Sequence, residues 1–338
     1  MRTIVLEKPG KFSMVETEPP GKPKAGEATV AVKCVGICGS DLHAFQGEQP
    51  FFNYPRIIGH EFAIEIEAVG ENSKGLAVGD RCTVEPYLKC GSCIACRRGK
   101  TNCCVNLKLL GVHVDGAMRE RINVPLSNLH KSDKLPLDQL AIVEMLSVGA
   151  HAVRRAAPER REPALVIGTG PIGLSVATIA REAGADVIVM DISERRLEFC
   201  RDVLHFEHVV DGRADPLAQL KRLCGDELPT LVLDCTGSRG SMMNSFNYVA
   251  HGGKLVFVGL FPGDLSFHDP FFHAHEMTIM SSRNATTDDF LQVLGLLESG
   301  KINVAPWITH HVSSAGMVDV FSQWTKPETG VLKAVVEW

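Results

Sequence analysis

The stretch from Ala164 to Asp191 leaves this chain little freedom of fold. An apolar run, Ala164 to Ile167, meets Gly168-Thr169-Gly170-Pro171-Ile172-Gly173, and a helical pattern from Ile172 to Ala183 then closes at Gly184 before a second apolar run, Asp186 to Met190. Gly-x-Gly-x-x-Gly is common by itself, but between a strand and a helix each glycine acquires a task. Gly168 permits the tight turn, Gly170 lets a pyrophosphate approach the backbone, and Gly173 lets helix and strand pack closely. The phosphates would lie at the helix N-terminus, beside Pro171. Asp191, 23 positions after Gly168, can accept hydrogen bonds from both ribose hydroxyls, which favours NAD over NADP; Arg195 and Arg196 keep an NADP reading open.

The strand-then-helix rhythm continues with Ser193 as a helix cap and apolar runs at Thr230 to Leu233, Leu255 to Val258 and Glu276 to Met280. Buried strands alternating with helices predict a parallel sheet covered on both faces. Before residue 145 the pattern is different. Short apolar runs at Ala28 to Val35, Ile57 to Val69, Arg81 to Val84 and Arg121 to Val124, broken by Gly and Pro, predict β-structure. Thr287 can cap a helix running through Glu298, with Gly300 as its stop. The tail from Ile308 to Trp338 reads as strand-like again. It is too short for a domain of its own, so it is expected to fold back onto the N-terminal β-structure, making the dinucleotide-type unit an insertion. The expected division is 1–145 with 286–338, and 146–285.

Composition narrows the function classes. With 35 Lys plus Arg against 40 Asp plus Glu, the net charge of −5 supplies no positive field for a phosphate backbone, so nucleic acid is not an expected partner. The opening MRTIVLEKPG places Arg2, Glu7 and Lys8 among its apolar residues, unlike a secretory leader, and no apolar run reaches the ~20 residues of a membrane span. The expectation is a cytoplasmic protein with reduced thiols.

Among the 11 cysteines, Cys90, Cys93, Cys96 and Cys104 recur at metal-ligand intervals in a Gly-containing loop. Four thiolates can close a tetrahedral zinc site with no open position, a structural site; Cys103, beside Cys104, is an alternative fourth ligand.

A second set of residues is dispersed. Val35-Gly36-Ile37-Cys38-Gly39-Ser40-Asp41, Gly59-His60-Glu61, the four-cysteine loop, Glu144 ahead of Met145-Leu146-Ser147-Val148-Gly149, and the glycine fingerprint with Asp191 together resemble the zinc-dependent medium-chain dehydrogenases over essentially the whole chain. The resemblance implies a Rossmann doubly wound parallel sheet inserted in a GroES-like β-barrel catalytic domain. It also implies a catalytic zinc on Cys38, His60 and Glu144, with Glu61 as an alternating ligand or supporting base. About two zinc ions per chain are expected, one for each set. Glu144 stands where alcohol dehydrogenases place a second cysteine, as in the polyol branch. Two anionic ligands would balance the ion's charge, and its open position would acidify a secondary alcohol for hydride transfer to NAD. Ser40 and His43 could then pass the released proton toward solvent. Ile172 and Arg196 are implied to touch the adenosine half of NAD, Val258, Gly259 and Leu260 the carboxamide, with Ser282 also among the cofactor contacts.

Gln49-Pro50-Phe51-Phe52, Gly111 to Gly116 and Ser281 to Thr286 point toward the branch that oxidises sugar acids such as L-galactonate or L-gulonate at C5. Arg283 is the foremost candidate for the substrate carboxylate, since a guanidinium grips it through two parallel hydrogen bonds; Asn284 and His113 are further candidates. The resemblance also implies dimers or tetramers. A neutral polyol or L-threonine dehydrogenase shares the same apparatus, and a non-catalytic NAD-binding protein is the alternative of another class. The family's pattern is broken at Ile64, Met145 and Arg121, none of them a proposed ligand.

Overall fold

The computed structural model describes residues 1–72 and 74–338. The chain forms two compact units, Met1–Ser147 with Ala285–Trp338, and Val148–Asn284. The first opens with an antiparallel hairpin of β1 (Arg2–Lys8) and β2 (Lys11–Glu16). It continues through β3 (Glu27–Gly36), β4 (Glu61–Val69), β5 (Arg81–Val84), β6 (Tyr87–Leu88), β7 (Lys108–Leu109), β8 (Arg121–Pro125) and β9 (Leu129–Lys131). The second unit carries β10 (Pro163–Ile167), β11 (Asp186–Asp191), β12 (His208–Asp211), β13 (Leu231–Asp234), β14 (Lys254–Phe257) and β15 (Thr278–Ser281). The chain then returns to the first unit with β16 (Ile308–Ser313) and β17 (Lys333–Glu337).

In the first unit the sheet runs β16-β17-β3-β4-β5-β9, with β8 beside the first half of β3. β3 buries Ala28, Val30, Val32 and Cys34 on alternate positions, the period of a strand with one face in the core. The C-terminal strand β17 lies antiparallel to the second half of β3, pairing Val335 with Gly36. The last residues of the chain are thus stitched to the strand that leads into Cys38.

Several expectations are corrected here. The run Ile57 to Val69 is a strand only from Glu61. Gly59 takes φ +94°, and the Ile58 and Gly59 carbonyls accept from Met118 and Ala117 at 3.0 and 2.9 Å, a backbone course no continuous ladder allows. The helix Thr287–Glu298 is capped by Thr286, not Thr287: the Thr286 N–H and hydroxyl both donate to Asp289 at 2.8 and 2.9 Å. The tail is not strand throughout. Ser313 caps a helix Ser314–Val320, because Phe321 and Trp324 at helical spacing are drawn into the core, where Phe321 packs on Phe12 and Phe45 at 4.8 and 5.2 Å. The helix Val143–Ala156 has no counterpart in the sequence reading.

The second unit is a six-stranded sheet of order β12-β11-β10-β13-β14-β15, every neighbouring pair parallel. It is doubly wound, and the strand order reverses between β10 and β13, the place where such sheets open a crevice. Leu165, Ile188, Val232 and Leu255 fill its core beside Phe246.

Candidate active site

Cys38 follows β3 and caps the helix Gly39–Gln46, its N–H donating to the Asp41 carboxylate at 3.0 Å. His60 immediately precedes β4, and Glu61 is that strand's first residue, paired with Gly36. The Cys38 sulfur, a His60 ring nitrogen and a Glu61 carboxylate oxygen lie within 4.8 Å of one another. His60 Nε2 faces the Ser40 hydroxyl at 3.4 Å; Nδ1, buried and without a hydrogen-bond partner among the described residues, faces the Asp41 carboxylate at 3.7 Å. A buried imidazole with a carboxylate beyond one ring nitrogen and a thiol within reach of the ring fits a metal ligand.

Glu144, in the first turn of the helix Val143–Ala156, is not a member of that 4.8 Å triad but lies close enough for its charge to act on His60. It is buried, and the Tyr87 hydroxyl donates to its Oε1. Glu61, by contrast, has both carboxylate oxygens engaged by the buried Lys333 ammonium at 2.9 and 2.8 Å, and that ammonium also donates to the Ile37 carbonyl at 2.9 Å.

The charges are strongly coupled. Burial pushes Glu144 up to about 7, with Glu61 adding to the rise and His60, Tyr87 and Lys333 working against it. Burial would lower His60, but Asp41 and then Cys38 outweigh it and hold the imidazole well above its usual value. Burial likewise drives the Tyr87 phenol up, helped by the Glu144 charge, so Tyr87 remains a donor.

In the cysteine loop Cys90, Cys93, Cys96 and Cys104 bring their sulfurs within 4.8 Å of one another, and Cys103 is not among them. Backbone N–H groups of Ser92 and Cys93 bring Cys90 down to about 5, while desolvation and the neighbouring Cys93 thiol push Cys96 up to about 12. Four thiols this close together are a donor set that fits a tetrahedral cation.

The sequence matches two family models, "Alcohol dehydrogenase GroES-like domain" over residues 24–134 and "Zinc-binding dehydrogenase" over residues 171–299. It is 40% identical over 336 residues to an L-galactonate-5-dehydrogenase of Escherichia coli K12, covering 99% of this chain and 98% of that one. It is 32% identical to an L-arabinitol 4-dehydrogenase of Aureobasidium melanogenum, covering 92% and 87%. Its fold superposes with TM-score 0.92 on an E. coli CFT073 alcohol dehydrogenase crystallised with NADH, at 31% identity and coverage of 100% and 99%.

The chain belongs to the zinc-binding dehydrogenases. It is an oxidoreductase with a GroES-like β-domain and a Rossmann-type domain. Both donor sets fit zinc, one closed by four thiols, the other offering a thiol, an imidazole and carboxylates.

The fingerprint of this dehydrogenase fits a dinucleotide as well. A Cβ on Gly173 would stand 1.7 Å from the Gly168 carbonyl oxygen, so the fold itself demands that glycine. A Cβ on Gly170 would meet nothing nearer than the Arg196 guanidinium at 3.8 Å. The space over Gly170 is left open at the uncapped N-terminus of the 12-residue helix Pro171–Glu182, a cradle for phosphate. Asp191, the residue expected at the ribose, ends β11. Its Oδ2 accepts from the Thr169 N–H and hydroxyl at 2.6 and 2.9 Å and its Oδ1 from the Ser193 N–H at 2.9 Å. The tight turn at Gly168 brings Thr169 against the end of β11, so most of the carboxylate's acceptor capacity is spent inside the fold. Arg196 stands 3.7 Å from it, largely in solvent.

The remaining candidates are scattered. Ile172, Val258 and Gly259 are half-buried and Leu260 is exposed. The Ser282 hydroxyl is buried without a hydrogen-bond partner among the described residues. Arg283 is exposed, Asn284 takes the left-handed conformation at φ +52°, and the His113 Nδ1 accepts from the Leu109 N–H at 3.1 Å, a bond that closes its own turn. His43 is exposed on the helix that carries Ser40. Three residues of the site escaped the sequence reading. Asp41 stood in the motif without a role, although its position three after Cys38 is a capping-box spacing. Tyr87 and Lys333 had no signal at all, since 57 and 272 positions separate them from their partners.

Proposed function

We propose that this dehydrogenase oxidises a secondary hydroxyl of a sugar acid of the L-galactonate or L-gulonate type to a ketone at C5, with NAD as the acceptor. The observation that carries the reading is the 40% identity to an L-galactonate-5-dehydrogenase over nearly the full length of both chains. When bound, zinc acidifies a hydroxyl and NAD takes up hydride. Cys38, His60 and Glu144 hold the ion in this reading, because Lys333 occupies both oxygens of Glu61 while Glu144 spends only one on Tyr87. Asp41 fixes the His60 ring, and Glu61 stays in reserve beside it. The Ser40 hydroxyl, 3.4 Å from His60 Nε2, takes the proton from the substrate and releases it toward His43 and solvent. Gly168, Gly170 and Gly173 seat the pyrophosphate, Asp191 takes the ribose hydroxyls, and Ile172, Arg196, Val258, Gly259, Leu260 and Ser282 lie along the cofactor. Arg283 is the proposed grip on the aldonate carboxylate, and Asn284 and His113 are further substrate candidates.

A substrate panel read by NADH absorbance tests the reading. Higher kcat/KM for L-galactonate or L-gulonate than for sorbitol, L-arabinitol or L-threonine supports it; preference for a neutral polyol, the reading favoured by the 32% identity to an L-arabinitol 4-dehydrogenase, overturns it. Arg283→Met should raise KM for aldonates and leave KM for neutral polyols unchanged.

A further inference from the structure

Tyr87 is one of the most completely buried large side chains in the molecule, and nothing in the sequence motifs accounts for it. A phenol buried this deeply needs a partner for its hydroxyl. The partner is Oε1 of Glu144, a carboxylate that is itself buried and that accepts no other hydrogen bond among the described residues. The Tyr87 backbone is pinned from three sides. β6 pairs Tyr87 with Leu109 of β7, the Asn128 side chain donates to the Glu85 and Tyr87 carbonyls at 2.7 and 3.2 Å, and Leu110 N–H donates to the Pro86 carbonyl at 3.1 Å. The ring rests edge-on against Phe290 at 6.2 Å. The hydroxyl therefore arrives at Glu144 from a rigid support, whereas the Glu144 side chain has three rotatable bonds and would otherwise choose among several orientations. β6 and β7 also flank the four-cysteine loop, so the strand that delivers Tyr87 forms the base of the proposed structural zinc site.

We propose that Tyr87 is the positioning residue for Glu144: its buried hydroxyl fixes one carboxylate oxygen so that the other is presented to the ion held with Cys38 and His60. The proposal rests on the reading of Glu144 as a ligand. Tyr87 touches neither substrate nor cofactor in it; it acts only through the carboxylate, as outer partners of metal ligands do.

The test is zinc affinity of the intact protein, measured by competition with a chromophoric chelator, for Tyr87→Phe, Glu144→Gln and the double variant. Tyr87→Phe should weaken the mixed-ligand site roughly 10- to 100-fold while the four-cysteine site keeps its zinc. In the Glu144→Gln background the same change should have little further effect. Cobalt in the mixed-ligand site should show altered visible bands in Tyr87→Phe. If Glu144→Gln does not weaken the site, the ligand reading itself fails. If Glu144→Gln weakens it and Tyr87→Phe does not, or if the two losses simply add, the positioning role is overturned while the ligand reading stands. Should Tyr87→Phe fold poorly, 3-fluorotyrosine labelling of the native sequence decides. The chain has three tyrosines, and Tyr54→Phe and Tyr248→Phe assign their fluorine resonances. The Tyr87 resonance should move when the mixed-ligand site is filled and stay still in Glu144→Gln; an unmoved resonance in the native sequence rejects the proposal.

Discussion

Lys333 and Glu61 form a buried ion pair that crosses the strand between them. Glu61 begins β4, Lys333 begins β17, and both strands pair with β3 at Gly36, whose missing side chain leaves room for the Glu61 carboxylate. A Cβ on Gly36 would stand 2.6 Å from Glu61 Oε2. Removing one partner of a buried pair leaves an uncompensated charge and costs about 3–5 kcal/mol. Lys333→Met should therefore lower the Tm by about 10 °C in calorimetry, and adding Glu61→Gln should restore part of the loss. A loss that Glu61→Gln does not lessen would contradict the pairing.

The two glycines of the fingerprint should fail differently. Gly173→Ala forces a Cβ against the Gly168 carbonyl oxygen at 1.7 Å, so it should unfold or badly destabilise the second unit. Gly170→Ala meets open space and should cost under about 1 kcal/mol of stability, yet weaken NADH binding at least tenfold by fluorescence titration. Unchanged NADH affinity in a stable Gly170→Ala protein would reject the phosphate cradle.

Metal removal should unmask a defined set of thiols. Chelation should expose Cys90, Cys93, Cys96 and Cys104 to alkylation at pH 8, with mass spectrometry reading the modified peptides. Cys34, Cys82 and Cys200 should stay unmodified with or without metal, because burial pushes their thiols up to about 12 and keeps reagent away. Labelling of all four loop cysteines in zinc-replete protein would refute a closed site there.

Glu85 supplies the acid dependence. It is buried, accepts from the Thr287 hydroxyl at 2.7 Å, and has His130 Nε2 and the Lys89 ammonium each at 3.4 Å. Burial alone would raise it, but the His130 and Thr287 hydrogen bonds and the Lys89 charge leave it below its usual value. A carboxylate lowered by folding contributes stability above its unfolded pKa of about 4.5 and loses it as the pH falls through the folded value. Glu85→Gln should cost roughly 2 kcal/mol at pH 7, a gap that narrows on acidification below pH 4.5 in urea melts. A gap independent of pH would show that Glu85 is not ionised in the folded protein.

What the sequence determined alone is what short-range pattern carries. The alternation from Ala164 onward specified a parallel sheet, because buried strands and amphipathic helices differ in period. The 15-residue cysteine loop from Cys90 to Cys104 and the Gly168 turn were legible for the same reason: their partners are near in the chain. Tertiary structure decided the rest. It turned Asp191 inward onto Thr169, drew the Ser314–Val320 segment into a helix through Phe321 and Trp324, and set Lys333 on Glu61 and Tyr87 on Glu144. Those pairs meet only because β17 returns to β3 and β6 is pinned near the helix carrying Glu144, and no local periodicity records which distant strand becomes a neighbour.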